Sequence, residues 1–282
     1  MTVPALLFLG AFFLVPAAMM FSSSVLTQQT NGAIGEPLTF DHYLRLFSTP
    51  LYAQVLVATL RIAIVTTLCA VVLGYPVALV IARGSPFVSR LVTIIVVAPL
   101  VVSVIVRTYG WLLLLGNNNS GVINWALNKI GFGPAVMQLM YTEAAVVIGS
   151  LHVFLPMMVL PLASALARIN PSLEEAAATL GASAWRVFWR VTVPLSSPGL
   201  AAGLTIVFSL TAASFVTPAI LGGSGGLMLG NLLEQQIMTI YDWPFGSAIA
   251  VVMVAMTFAV NGISVWFLER RQRARRLLSE LE

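Results

Sequence analysis

Long stretches of this chain carry no charge, and that spacing constrains its fold more than any motif does. Residues 1–35 have no charged side chain, and 62–82, 91–106, 108–128, 144–167, 191–233 and 243–268 are further charge-free runs. A membrane-spanning helix needs about 20 mostly apolar residues, and several of these runs supply them. They do not alternate apolar with polar residues, as the strands of a transmembrane β-barrel do. Only 9% of the 282 residues are charged and 59% are hydrophobic. A soluble domain carries roughly 25% charge, and so few polar side chains could not cover a core of this size in water. A soluble globular enzyme and a disordered chain are both excluded. The expected fold is an all-α, polytopic transmembrane bundle.

Six spans are expected, at about 3–24, 54–82, 91–115, 143–167, 199–221 and 245–267. The first lacks the basic leader of a signal peptide and is too long for its roughly 7–15-residue apolar region, so it reads as a retained helix. Residues 25–52 read as an exposed loop with an amphipathic turn near Tyr43, Leu44 and Phe47. The cluster Asn117-Asn118-Asn119-Ser120-Gly121 and the run Gly222-Gly223-Ser224-Gly225-Gly226 are breakers. Pro16, Pro76, Pro99, Pro156, Pro161 and Pro218 lie inside spans, where each frees a carbonyl that must be satisfied elsewhere. Residues 1–268 are expected to form one membrane domain and 269–282 a basic tail.

Lys and Arg placement orients the bundle. Arg83, Arg90, Arg168, Arg186, Arg190 and five arginines within 270–276 fall on one side, against Arg45 and Lys129 on the other. The 83–90 loop, the 168–198 loop and both termini are therefore expected in the cytoplasm. The sequence pI near 9.6 reflects this stop-transfer tail rather than nucleic-acid binding. Cys69 is the lone cysteine, so neither a disulfide framework nor a cysteine-based metal site is expected.

The 168–198 loop is too polar to span. It reads as two short helices around a glycine turn: Ser172 and Glu175 as a capping box, Gly181 as the stop of the first helix, Ser183 as the cap of the second, and Pro194 as its end. Left at that, it is an amphipathic loop on the membrane face. Its spacing also resembles the EAA signature of type I ABC importer permeases, with Glu175-Ala176-Ala177, then Gly181, then Val191 and Val193-Pro194 in register.

Further stretches look like the spermidine/putrescine permease subgroup: Gly74-Tyr75-Pro76, Arg107-Thr108-Tyr109-Gly110-Trp111, Leu155 through Leu162, Pro194 through Gly199, Leu221-Gly222-Gly223 and Asp242 through Ala248. The resemblance implies a bacterial inner-membrane permease subunit, with two ATPase subunits, a second permease subunit (a paralogue) and an extracytoplasmic solute-binding protein as partners. ATP and Mg²⁺ would belong to the ATPase, and no cofactor to this chain. It implies that Glu174, Glu175, Ala176, Ala177, Gly181, Trp185, Phe188 and Pro194 form the ATPase-coupling surface, with Glu175 facing a basic residue. The chain itself cannot hydrolyse ATP: no G-x-x-x-x-G-K-[ST] surrounds its only lysine, Lys129.

Arg107 near the outer end of the third span has two readings, a functional intramembrane charge or a snorkelling side chain. Pairing with Glu234 or Asp242 is one expectation for it. Arg61 is expected to snorkel. Tyr109, Trp111 and Phe215 read as an aromatic surface for a cation or as an interfacial belt. For Ser209, Ser214 and Thr217, with Thr211, the resemblance implies a pore-lining helix; read from the residues alone they also suit packing beside the Gly199–Gly203 pair. Glu234 and Asp242 are acidic candidates for guiding a polycation, or solvated loop charges. His152 is expected to be packed rather than catalytic. An ion-coupled transporter would place acidic residues at mid-depth, and an intramembrane enzyme would cluster nucleophiles; neither pattern is present. Iron, thiamine and phosphonate-type solutes remain alternatives to polyamines.

Overall fold

The charge-free runs fold into helices. The computed structural model describes residues 2–29, 32–117, 121–130 and 138–279. The chain opens with α1 (Thr2–Ser23) and a two-stranded antiparallel hairpin, β1 (Thr27–Gln28) with β2 (Ile34–Gly35). Then come α2 (Asp41–Ser48), α3 (Pro50–Arg83), α4 (Pro86–Val101), α5 (Val104–Leu115), α6 (Val122–Lys129) and α7 (Glu143–Ala167). A helical hairpin follows, α8 (Pro171–Thr179) and α9 (Ala184–Val187), which runs through a π turn (Phe188–Thr192) into α10 (Val193–Leu195). After α11 (Ser197–Ala212) come a π turn (Pro218–Gly222), α12 (Leu229–Glu234) with a π turn (Gln235–Ile240), and α13 (Trp243–Ser279).

α1, α3, α7 and α13 are each long and apolar enough to cross a membrane. Two further helix pairs are apolar enough to cross only when taken together, and both are bent. α4 and α5 meet at 102°, and the segment Ala184–Leu195 meets α11 at 68°. The third span is therefore not the continuous helix expected over 91–115. Pro99 removes one rung of the helical ladder, and Val102 and Ser103 turn extended just beyond it. The fifth span departs likewise from 199–221. α11 stops at Ala212, and helix resumes at Val216 and runs into the π turn that begins at Pro218, which has no N–H to donate across the break. The sixth helix continues to Ser279, so the boundary drawn at 268 falls inside one helix. The described residues of 25–52 form elements rather than a loop. Leu46 of α2 is fully buried while Leu44 and Phe47 are exposed, and the hairpin docks through Gln28, which donates to the Tyr241 carbonyl and accepts from the Trp243 N–H.

The centre of the bundle is α3, α7 and α11 packed together. Backbones can approach because the contact residues are small. A Cβ on Gly199 would lie 2.6 Å from the Pro161 carbonyl oxygen and one on Gly203 2.6 Å from the Met158 sulfur. The G-x-x-x-G therefore packs against α7, as such pairs do in membranes. The break after α11 is held by Asn231, whose amide donates to the Phe215 carbonyl at 2.7 Å and accepts from the Met228 N–H. That contact adds a side-chain donor to a carbonyl that also accepts the Ala219 N–H at 3.0 Å, and so ties α12 to the break.

Candidate functional site

The α8–α9 hairpin is built from strong local signals. Asn170, not Ser172, caps α8: its side chain accepts the Ser172 N–H at 3.1 Å. Pro171 takes the first helical position, where its missing N–H costs nothing, and this moves the cap one residue ahead of it. Gly181 ends the helix with φ of +84°, and Ala182 N–H bonds back to the Ala177 carbonyl at 3.1 Å, a Schellman-type closure. No atom lies within 4 Å of where a Gly181 Cβ would be. Glycine is needed there for its backbone, and that side of the turn is open. Ser183 sits at the cap position of α9 without a side-chain cap bond. The second helix does not stop at Pro194 but runs one residue further, to Leu195. The π turn ahead of it accommodates a proline ring that would crowd the carbonyl four residues back.

The two acidic residues of α8 diverge. Glu174 is clasped by Arg83 through two hydrogen bonds, at 3.0 and 3.1 Å, and accepts a third from Thr192 Oγ1 at 2.8 Å. Glu175 is exposed and, among the described residues, has no basic partner. Ala176 is exposed and Ala177 half-buried. Trp185 is 71% exposed, and Leu173, Leu180 and Trp189 are exposed beside it. Phe188 turns inward, its ring edge-on to Tyr75 at 5.2 Å, and stacks on Trp185 at 6.0 Å. The outcome is an apolar, aromatic surface with one free carboxylate. Arg83 reads in the sequence only as a topological charge, Tyr75 only as part of the Gly74-Tyr75-Pro76 stretch, and Thr192 gives no signal there at all.

The candidate pathway residues are scattered rather than gathered. Asp242 is engaged. It pairs with Arg45 at 3.0 Å, and its other oxygen accepts the Phe245 N–H as the cap of α13. The Arg45 guanidinium lies 4.2 Å over the Phe245 ring. Arg107 therefore does not pair with Asp242, nor with Glu234, which is exposed at the end of α12. Arg107 Nε and Nη1 are buried without a hydrogen-bond partner among the described residues. Trp111 meets the His152 ring edge-on at 5.6 Å, but His152 is exposed rather than packed in the core as expected. Tyr109 and Phe215 are exposed, and no ring contact joins them to Trp111 among the described residues.

Ser209 donates to the Thr205 carbonyl, accepts from Asn261 and borders a 330 Å³ apolar hollow between α11 and α13. Ser214 is half-buried at the break, its carbonyl against Gly230. Thr217 Oγ1 is buried and unpartnered among the described residues.

Arg61 does not simply snorkel. It forms an ion pair with Glu143, at the first position of α7. Both line a cavity of 550 Å³ with Gln54 of α3 and the glycine turn at Ser224 and Gly225. The sequence hint for Glu143 is a lone carboxylate at the start of a span. The turn packs on Tyr141: a Cβ on Gly225 would lie 2.5 Å from its carbonyl oxygen.

Residues 70–276 match the family described as binding-protein-dependent transport system inner membrane component. The chain is 34% identical over 240 residues to the spermidine/putrescine transport system permease protein PotB of Haemophilus influenzae, covering 85% of this chain and 83% of that one. It is 34% identical over 242 residues to the PotB of Escherichia coli K12, covering 86% and 87%. Its fold matches a chain of a bacterial ABC transporter involved in the import of the acidic polysaccharide alginate, with TM-score 0.74, 18% identity, and 96% and 94% of the two chains covered.

Proposed function

Because this chain belongs to the binding-protein-dependent transport system inner membrane component family, we propose that it is the permease subunit of an ABC importer for polyamines such as spermidine or putrescine. The observation that carries the substrate is the 34% identity to spermidine/putrescine permeases over most of both chains. A soluble binding protein delivers the solute, and this subunit, paired with a paralogous permease, opens alternately to either side. Two ATPase subunits supply the energy, with ATP and Mg²⁺ held there. Both termini and the α8–α9 hairpin face the cytoplasm.

The exposed Glu175, Ala176, Leu180 and Trp185 support the hairpin as the ATPase docking surface. Glu175 supplies charge, Ala176 and Ala177 allow close approach, Gly181 sets the turn, and Trp185 with part of Phe188 supplies apolar contact. Glu174 and Pro194 hold the hairpin's shape. Among the pathway candidates, Glu234, Tyr109 and Phe215 are the exposed groups able to meet a cation.

One observation favours a second reading. Arg107 has two buried guanidinium nitrogens without acceptors among the described residues, which suits an anionic solute better than a polycation. The test is uptake in proteoliposomes that hold this subunit with its paired permease, ATPase and binding protein. Labelled spermidine is expected to enter with ATP hydrolysis. Uptake of phosphonate with none of spermidine would replace the polyamine reading with the anionic one, and uptake without an ATPase would remove both.

A further inference from the structure

Sequence joins the coupling hairpin to α7 before it and α11 after it. The side chains join it to a third helix. Arg83, the last residue of α3, grips Glu174 of α8 through both guanidinium branches, and the same carboxylate is bonded by Thr192 of the π turn. About two turns deeper, Tyr75 of α3 is buried. Its hydroxyl is hydrogen-bonded with Ser196 Oγ at 2.7 Å, at the bend between α10 and α11, and its ring receives the edge of Phe188 at 5.2 Å. Both halves of the hairpin and the bend that follows it are thus fastened to the cytoplasmic third of one helix.

The Arg83–Glu174 pair is about a quarter exposed on each side, so solvent screens it and its part in stability is small. A bidentate guanidinium–carboxylate fork fixes direction and register more than it adds energy. The opposite end of α3 forms a wall of the 550 Å³ cavity, through Leu51, Gln54, Val57 and Arg61. At 34 residues and about 1.5 Å per residue, α3 runs the full depth of the bundle between the hairpin and that cavity.

We infer that α3 is a lever linking the hairpin to the outer cavity, with Arg83 and Tyr75 as the positioning residues that make it move with α8. Displacement of the hairpin by a docked ATPase reaches the cavity wall through α3 directly, in parallel with the chain connections through α7 and α11. The inference rests on the proposed function, since the ATPase supplies the displacement.

The test reads the cavity and needs no knowledge of the solute. In the assembled transporter, with Cys69→Ser and Gln54→Cys, a membrane-impermeant maleimide labels the cavity with and without ATP plus vanadate. Trapping is expected to change the labelling rate at least about fivefold, the lower end of usual site-to-site coupling. Arg83→Ala is expected to abolish that change while ATP hydrolysis persists, and Tyr75→Phe to reduce it. The exchange of Arg83→Glu with Glu174→Arg is expected to restore it, which a variant that merely unfolds could not do. A full nucleotide response in Arg83→Ala, or none in the parent, overturns the lever and leaves the proposed function standing. A parent preparation that retains no ATPase overturns the proposed function and the lever with it.

Discussion

Glu174 and Glu175 are neighbours in α8 with opposite engagements. Arg83 and Thr192 hold the first carboxylate at 3.0 and 2.8 Å, while the second is exposed without a basic partner among the described residues. One carboxylate fixes where the hairpin sits and the other is free for what lands on it. An i to i+1 step on a helix turns the side chain by about 100°, which is enough to separate the two roles.

Glu175→Gln is therefore expected to leave the thermal stability of the purified subunit within about 0.5 kcal/mol, as surface changes usually do, and to lower the amount of ATPase that co-purifies. Glu174→Gln is expected to retain the ATPase. Equal loss of ATPase from both variants would contradict the division.

At Gly181 the turn demands positive φ but offers space. Gly181→Ala is expected to destabilise by about 1–2 kcal/mol, the cost of a side chain in left-handed backbone, with no clash. Gly181→Asn, which tolerates that conformation, should recover much of the loss. Gly181→Leu adds bulk on the open side, and ATP hydrolysis in the assembled transporter is expected to become uncoupled from uptake. Detergent melting curves and uptake per ATP separate the two effects.

Gly199 is the opposite case. Its φ is ordinary and the space is missing: an added Cβ meets Ala165 Cβ at 2.5 Å and the Pro161 carbonyl oxygen at 2.6 Å. Gly199→Val is expected to cost about 1–3 kcal/mol through overpacking, visible as a lower melting temperature. An unchanged one would show that α7 and α11 do not pack through this residue.

Asp242 tests two readings at once. Its pair with Arg45 is partly exposed and contributes at most about 1 kcal/mol, whereas loss of the helix cap in Asp242→Ala adds about 1 kcal/mol more. Asp242→Asn keeps a capping oxygen and should lose little stability. If Asp242 only holds α13 to α2, the asparagine variant transports with unchanged KM; a KM raised severalfold would return it to the solute pathway.

Much of this was legible in the linear chain. The crossings follow from charge-free runs, because charge in hydrocarbon is costly and its absence is visible residue by residue. Gly181 was legible because a left-handed residue after a helical turn is a local requirement. Glu174 and Glu175 look alike in sequence because their difference lies in Arg83, 91 residues earlier in the chain. Glu143 was missed for the same reason: its partner Arg61 lies 82 residues away.

The expected pairing of Arg107 failed because Asp242 had a nearer cation in Arg45, a competition that only three dimensions reveal. The breaks at Val102–Ser103 and after Ala212 were signalled by Pro99 and Pro218, but a proline in a membrane helix can be absorbed or can end it. Which occurs depends on whether neighbours satisfy the freed groups. Sequence alone determined the membrane class, the main spans and the two-helix hairpin around Gly181, because hydrophobicity and local backbone preference act along the chain. Tertiary structure decided which charges pair, which helices bend and which helix carries the hairpin, because those outcomes depend on partners brought close only by packing.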